Sequence, residues 1–206
     1  MEQAGNLSSV KTNHLPTYYA PSGKVTCVSL KKGELIGLND ELDSPVNTIL
    51  KLEEIASKYA IGRDIHVGDT IVGIKGRVGF EAAAALITIK AHHLLEKHTL
   101  TKWQLQHKEY LASFYGMHLH EGQYLDPVMR DMETFLESSQ SKVTGDVFVT
   151  LKPYHFTLDG IDSPHDLMNA KFGSYGELNK GWTAEDAKGF IKILGNQNKI
   201  YQQVNQ

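Results

Sequence analysis

The order of patterns along the chain predicts an α+β fold: a mostly antiparallel sheet built from hairpins, a central group of helices and a C-terminal helical tail. Two observations carry this. Strand-like runs come in close pairs joined by turn residues, at 25–38, 64–74 and 143–158, which is the spacing of hairpins. Helical periodicity is confined to blocks between and after them, so the strict βαβ alternation of a parallel, dinucleotide-binding sheet is missing.

Each element has its own signal. Residues 1–23 scatter Asn, Ser, Pro and Gly without periodicity and read as an irregular arm, leaving 24–206 as one domain. Runs 25–30 and 35–38 flank Lys31-Lys32-Gly33-Glu34, a first hairpin. Ser44 followed by Pro45 is an N-cap with proline at the first helical position. Ile49, Leu52, Ile55, Ala56 and Tyr59 give that helix a buried stripe, and Gly62 stops it. Runs 64–67 and 70–74, separated by Gly68-Asp69, read as a tight hairpin. From Phe80 to about Lys97 an alanine run with Leu86, Ile87, Leu94 and Leu95 predicts a largely buried helix. Thr101 with Gln104 makes a capping box, opening a helix through Trp103, Leu105, Tyr110, Leu111 and Phe114 to Gly116. Asp126-Pro127 opens a third, with Val128, Met129, Met132, Phe135 and Leu136 on one side. Runs 143–151 and 154–158 alternate like strands around Lys152-Pro153. Thr183 and Asp186 cap a short helix, and Ile200, Tyr201 and Val204 mark an amphipathic tail.

Composition excludes several classes. The 206 residues are 41% hydrophobic, enough for a real core. A formal charge of −3 without basic-aromatic interleaving argues against nucleic acid as a partner. No apolar stretch approaches a bilayer span, and the first residues lack the basic and apolar regions of a signal peptide. Cys27, the single cysteine, permits no internal disulfide and fits a reducing cytoplasm. No metal site is expected. His118 and His120, taken as a strand, share a face while Glu121 points away, and the neighbours His92 and His93 diverge on a helix.

The densest chemistry is in the glycine-basic run Gly73-Ile-Lys-Gly-Arg-Val-Gly79. Three glycines free the backbone, and Lys75 and Arg77 stand ahead of a helix start whose dipole favours anions, so a carboxylate or phosphate would sit well there. The same residues also make an ordinary strand-to-helix connection with two solvated cations. Glu81 falls in the first helical turn, where it supports the helix. Asp69 hydrogen-bonds within its turn or points at a ligand; Ser163-Pro164 reads as a turn.

From about Val25 onward the chain resembles the C-terminal synthetase and multimerisation domain of argininosuccinate synthase. The matching pieces are VSLKKGELIGLN (28–39), IASKYAIGRDIHVGDTIVGIKGR (55–77), GFEAAAA (79–85), AHHLLEKHTLTK (91–102), SSQSKVTGDVFVTL (138–151), DSPHDLMN (162–169) and TAEDAKGFIKI (183–193). That family joins citrulline to aspartate with ATP and magnesium through a citrullyl adenylate, in the cytoplasm. Its nucleotide chemistry belongs to an N-terminal domain with a Ser-Gly-Gly-x-Asp loop. The nearest approach here, Pro21-Ser22-Gly23-Lys24, lacks the flanking residues of a phosphate cradle. The resemblance thus implies the second half of an enzyme, as a fragment or a separate subunit. This half supplies citrulline contacts and the interfaces of a homo-oligomer, a tetramer, with no catalytic residue of its own and no ATP bound alone. A non-catalytic assembly module on the same fold is the rival reading.

In the family a Glu in the hairpin and a Tyr before the next helix contact citrulline, and the alignment puts those places at Gly68 and Phe80. Both differ here. The resemblance therefore implies a substrate-binding set of Gly68, Asp69, Lys75, Arg77 and Phe80. Its expected ligand is a citrulline whose α-amine is acylated, with Lys75 or Arg77 meeting an acyl carboxylate. If Asp69 instead replaces the lost Glu, plain citrulline remains the substrate.

Overall fold

The structure, a computed structural model, describes residues 23–169 and 181–205. The N-terminal arm therefore lies outside the described residues, apart from Gly23. The chain divides into two compact units, Met1–Leu167 and Met168–Gln206.

The first unit is built on a five-stranded antiparallel sheet of order β3-β2-β1-β6-β7, formed by β1 (Lys24–Lys31), β2 (Glu34–Leu38), β3 (Glu41–Leu42), β6 (Gly145–Lys152) and β7 (His155–Asp162). The first hairpin turns through Lys32 and Gly33, both with positive φ, which gives strands of this twist a tight return. A Cβ on Gly33 would stand 2.6 Å from the Gln140 side chain, so glycine is required there twice over. Thr26, Val28 and Leu30 of β1 face the same side as Val147, Val149 and Leu151 of β6, and all are buried. A bulge opposite Phe148/Val149 changes the phase of β7, so that Phe156, Leu158 and Ile161 all reach the core. Cys27 is a half-buried strand residue whose thiol is pushed up, first by burial and then by Asp146, which leaves it unreactive.

Helices α1 (Pro45–Ser57) and α2 (Ala83–Thr99) cover this sheet. The Ser44 hydroxyl caps α1 by accepting the Asn47 N–H, as the sequence predicts. Leu52 and Ala56 of α1 and Ile87, Ala91 and Leu95 of α2 are fully buried in the main cluster; Ile49, assigned to that stripe, is exposed. Burying the leucine and isoleucine side chains among these supplies about 1.5–3 kcal/mol each before conformational entropy is counted, which makes the α1–α2–sheet contact the base of the domain.

Helix α3 (Lys102–His120) opens with the expected Thr101–Gln104 capping box and packs on α4 (Pro127–Gln140), capped by Asp126. One expectation fails here. The helix continues past Gly116 through His118 and His120, which are helical rather than in a strand. It also buries no residue fully: Trp103, Tyr110, Phe114, Met117 and Leu119 are exposed, because α3 lies on α4 at the edge of the core. A polar cluster ties α2, α3 and α4 together. The fully buried Glu96 accepts from Lys108 Nζ at 2.8 Å and from Gln140 Nε2 at 2.8 Å, and His92 Nε2 lies 2.8 Å from Gln140 Oε1. Burial holds the His92 imidazole below its ordinary pKa, against the opposing pull of Glu96.

Ser163 is buried, donates to the Thr144 carbonyl at 2.6 Å and accepts the His165 N–H, so Ser163-Pro164 is a turn after β7. His98 of α2 meets Asp166 at 3.0 Å and secures that turn. The second unit contains α5 (Ala184–Leu194), capped reciprocally by Thr183 and Asp186 as expected, and α6 (Asn196–Val204). No helix of the described residues is long and apolar enough to cross a membrane.

Candidate functional site

The hairpin that the sequence singles out stands as a separate two-stranded sheet, β4 (Arg63–Asp69) with β5 (Lys75–Glu81). Its root is held firmly. Ile61 is buried, Gly62 lies against the start of α2, and the Ala82 amide donates to the Gly62 carbonyl at 3.0 Å. Gly62 has a φ of +78°, and a Cβ there would stand only 2.6 Å from the Ala82 backbone, so residue 62 must be glycine. Arg63 pairs with Glu81 at 3.0 Å across the first rung.

Three expectations about this run are corrected. The reversal is at Thr70–Ile74 rather than Gly68-Asp69. Gly73 N–H donates to the Thr70 carbonyl at 2.8 Å, Gly73 takes a left-handed φ of 78°, and the Thr70 hydroxyl and amide bridge to Ile74. This is a three-residue loop closed by a left-handed glycine, the alternative to the two-residue turn. Lys75, Arg77 and Glu81 consequently lie in a strand, where Glu81 serves the Arg63 pair and not a helical turn. The helix itself starts only at Ala83, without a side-chain cap from its own N-cap residue. In its place the Glu53 carboxylate of α1 accepts the Ala84 N–H at 2.7 Å. One of the amides exposed at this N-terminus is thus engaged by the protein's own carboxylate.

The register then sorts the predicted site residues. Antiparallel partners share a face and neighbours along a strand alternate. Gly68 opposite Gly76, His66 opposite Val78 and Asp64 opposite Phe80 form one face. Asp69 opposite Lys75, Val67 opposite Arg77 and Arg63 opposite Glu81 form the other. Gly68 and Phe80 thus share a face, about 13 Å apart along the hairpin, whereas Asp69, Lys75 and Arg77 project from the reverse side. Asp69 is also ion-paired with Lys75 on that side.

His66, outside the set expected from sequence, shares the face of Gly68 and Phe80. A Cβ built on Gly68 would meet its Nε2 at 2.6 Å, which places the imidazole over Gly68 on the shared face. The signal was present in the alternation of Asp64, His66 and Gly68, and becomes readable once Gly73 rather than Gly68 is taken as the turn glycine.

The model of the argininosuccinate synthase C-terminal domain matches residues 14–201. The argininosuccinate synthase of Xanthomonas campestris pv. campestris is 38% identical over 180 residues, covering 86% of this chain and 45% of that protein. That of Xanthomonas axonopodis pv. citri is 37% identical over 187 residues, 90% of this chain and 45% of its own. The Methanocaldococcus jannaschii protein is 33% identical over 175 residues, 85% and 44% respectively. The chain thus spans just under half the length of the relatives it matches. With that match and these identities, the chain belongs to the argininosuccinate synthase family, as its C-terminal domain.

Proposed function

We propose that this chain is the citrulline-binding half of an ATP-dependent carbon–nitrogen ligase that joins citrulline, plain or N-acylated, to aspartate and so serves arginine biosynthesis in the cytoplasm. The observation that carries the reading is the match over residues 14–201 together with the rooted hairpin, whose Gly68–Phe80 face is open to a ligand. On this reading the chain's own residues do no bond-making. The hairpin face holds and orients the substrate, with Phe80 as its aromatic wall, while ATP and magnesium are engaged by the half that the relatives carry in addition. The α2 N-terminus supports that division, because Glu53 already engages one amide of the helix start that the sequence offered to a phosphate.

The same chain is proposed to assemble into a homo-oligomer, a tetramer. Exposed aromatics on α3 within the first unit support this, and so, independently, do Phe190, Ile191, Ile193 and Leu194 of α5 in the second unit. The ligase reading is tested by assaying the complete protein for AMP and diphosphate release. Release that requires both a citrulline and aspartate is expected; release with neither, or none at all, would overturn it. Calorimetry on the chain alone should detect no ATP binding, and micromolar binding would contradict the proposed division of labour.

A further inference from the structure

The α3–α4 segment is pinned to the body of the first unit at both ends. Leu100, just before α3, and Val143, just after α4, are buried in the main apolar cluster. The Val143 carbonyl also accepts the Gly33 N–H at 2.8 Å, and its own N–H donates to the Gln140 carbonyl at 2.9 Å. Between these pins, Leu105 is the one described residue of α3 or α4 that packs against that cluster. Met129 and Met132, the buried apolar side chains of α4, lie outside it. The apolar core is therefore interrupted between α2 and the α3–α4 pair.

Polar groups fill the interruption. Glu96 of α2, fully buried, accepts from Lys108 of α3 and from Gln140 of α4, each at 2.8 Å. His92 Nε2 lies 2.8 Å from Gln140 Oε1, and His93 Nε2 lies 3.4 Å from Glu109 of α3. A seam of this kind parts differently from an apolar one. Separating two apolar faces only exposes them to water, whereas separating a buried ion pair lets water hydrate both charges and returns the desolvation lost on burial. A partly broken network is the least favourable arrangement, because it leaves a buried charge without its partners. The seam thus has two favoured states, fully made and fully hydrated.

We propose that α3 and α4 form one separable layer that opens from the α2–sheet body as a unit, with Glu96, Lys108 and Gln140 as its latch. Opening bares the α2 flank that carries His92, His93 and Glu96 and leaves the sheet, α1 and α2 folded. Leu100 and Val143 are the fixed points on either side of the moving segment. The device is independent of the ligase chemistry.

Hydrogen exchange of the folded 206-residue chain in rising, sub-denaturing urea tests it. Amides of α3 and α4 should exchange at least about tenfold faster than those of β1 and β6 and share one urea dependence, the mark of a common opening. Ile87→Val, a small truncation in the main cluster, should speed β1 and β6 by about two- to tenfold and leave α3 and α4 unchanged, because their opening keeps Ile87 packed. Gln140→Ala removes one arm of the latch and should speed both helices together by about tenfold or more, and Lys108→Met should do so more strongly. Exchange of α3 and α4 at the rate of the sheet, or with different urea dependences, would overturn the inference. Equal acceleration of every element by Ile87→Val, or none of α3 and α4 by Gln140→Ala, would do the same.

Discussion

The Glu53 carboxylate accepts the Ala84 N–H at 2.7 Å, so one helix of the core caps the next. The N-terminus of α2 has no side-chain cap from its own N-cap residue, Ala82, and Glu53 is half-buried between the two helices. A charge-assisted bond at a helix start is worth more than a neutral surface cap. Glu53→Ala should therefore destabilise the protein by about 1–2 kcal/mol, with Glu53→Gln less harmful because it keeps an acceptor. Urea unfolding with an unchanged slope and a lower midpoint is the expected outcome; an unshifted midpoint for Glu53→Ala would contradict the capping role.

Lys108 and Glu96 present a harsher case, because Glu96 is wholly buried and Lys108 nearly so. Removing the cation leaves a buried carboxylate with Gln140 and the His92 ring as its remaining neighbours. Lys108→Met should cost about 3–5 kcal/mol, whereas adding Glu96→Gln to it should recover most of the loss. Equal midpoints for the single and double variants would show that the pair is not what the helices depend on.

The same cluster gives a pH dependence. Burial depresses the His92 pKa below 6.5, so the unfolded chain binds the proton more readily than the folded one. The contribution is present above 6.5 and is lost as the pH falls from there through the depressed folded value. Thermal unfolding between about pH 7.5 and about pH 5.5 should show a smaller loss of stability for His92→Gln than for the parent. A parallel loss in both would remove His92 as the source.

In the second unit, α6 is nine residues long and buries none of them, so it is too short to persist without a surface to lie on. Ile200, Tyr201 and Val204 are all more than half exposed. Deleting the residues after Asn196 should weaken self-association, seen by light scattering as a lower mass at a given concentration. An unchanged mass would exclude the tail from the interface.

Much of this architecture is legible in the chain because local chemistry and tertiary structure agree. Ser44, Thr101, Asp126 and Thr183 each accept the backbone N–H that their capping role demands. The hairpin around Lys32-Gly33 closes where its left-handed residues stand. Legibility fails where two local solutions compete. Gly68-Asp69 and Thr70–Ile74 both have turn chemistry, and a closing bond from the Thr70 hydroxyl, which no pattern announces, decides for the second. That shift of the turn moves Lys75 and Arg77 from a loop into a strand and divides the predicted site between two faces. The α2 cap was illegible for a different reason: its partner is 31 residues away in sequence, and only packing brings Glu53 to Ala84.

On the proposed reading the division of the hairpin into two faces sets which side chains meet the substrate, and substitutions on each face test it directly. In the complete protein, kcat/KM for its best citrulline substrate should fall at least about tenfold for Phe80→Ala, while Arg77→Ala and Lys75→Ala stay within about twofold of the parent. The reverse ranking, with Arg77→Ala crippling and Phe80→Ala silent, would contradict the assignment of the Gly68–His66–Phe80 face to the substrate.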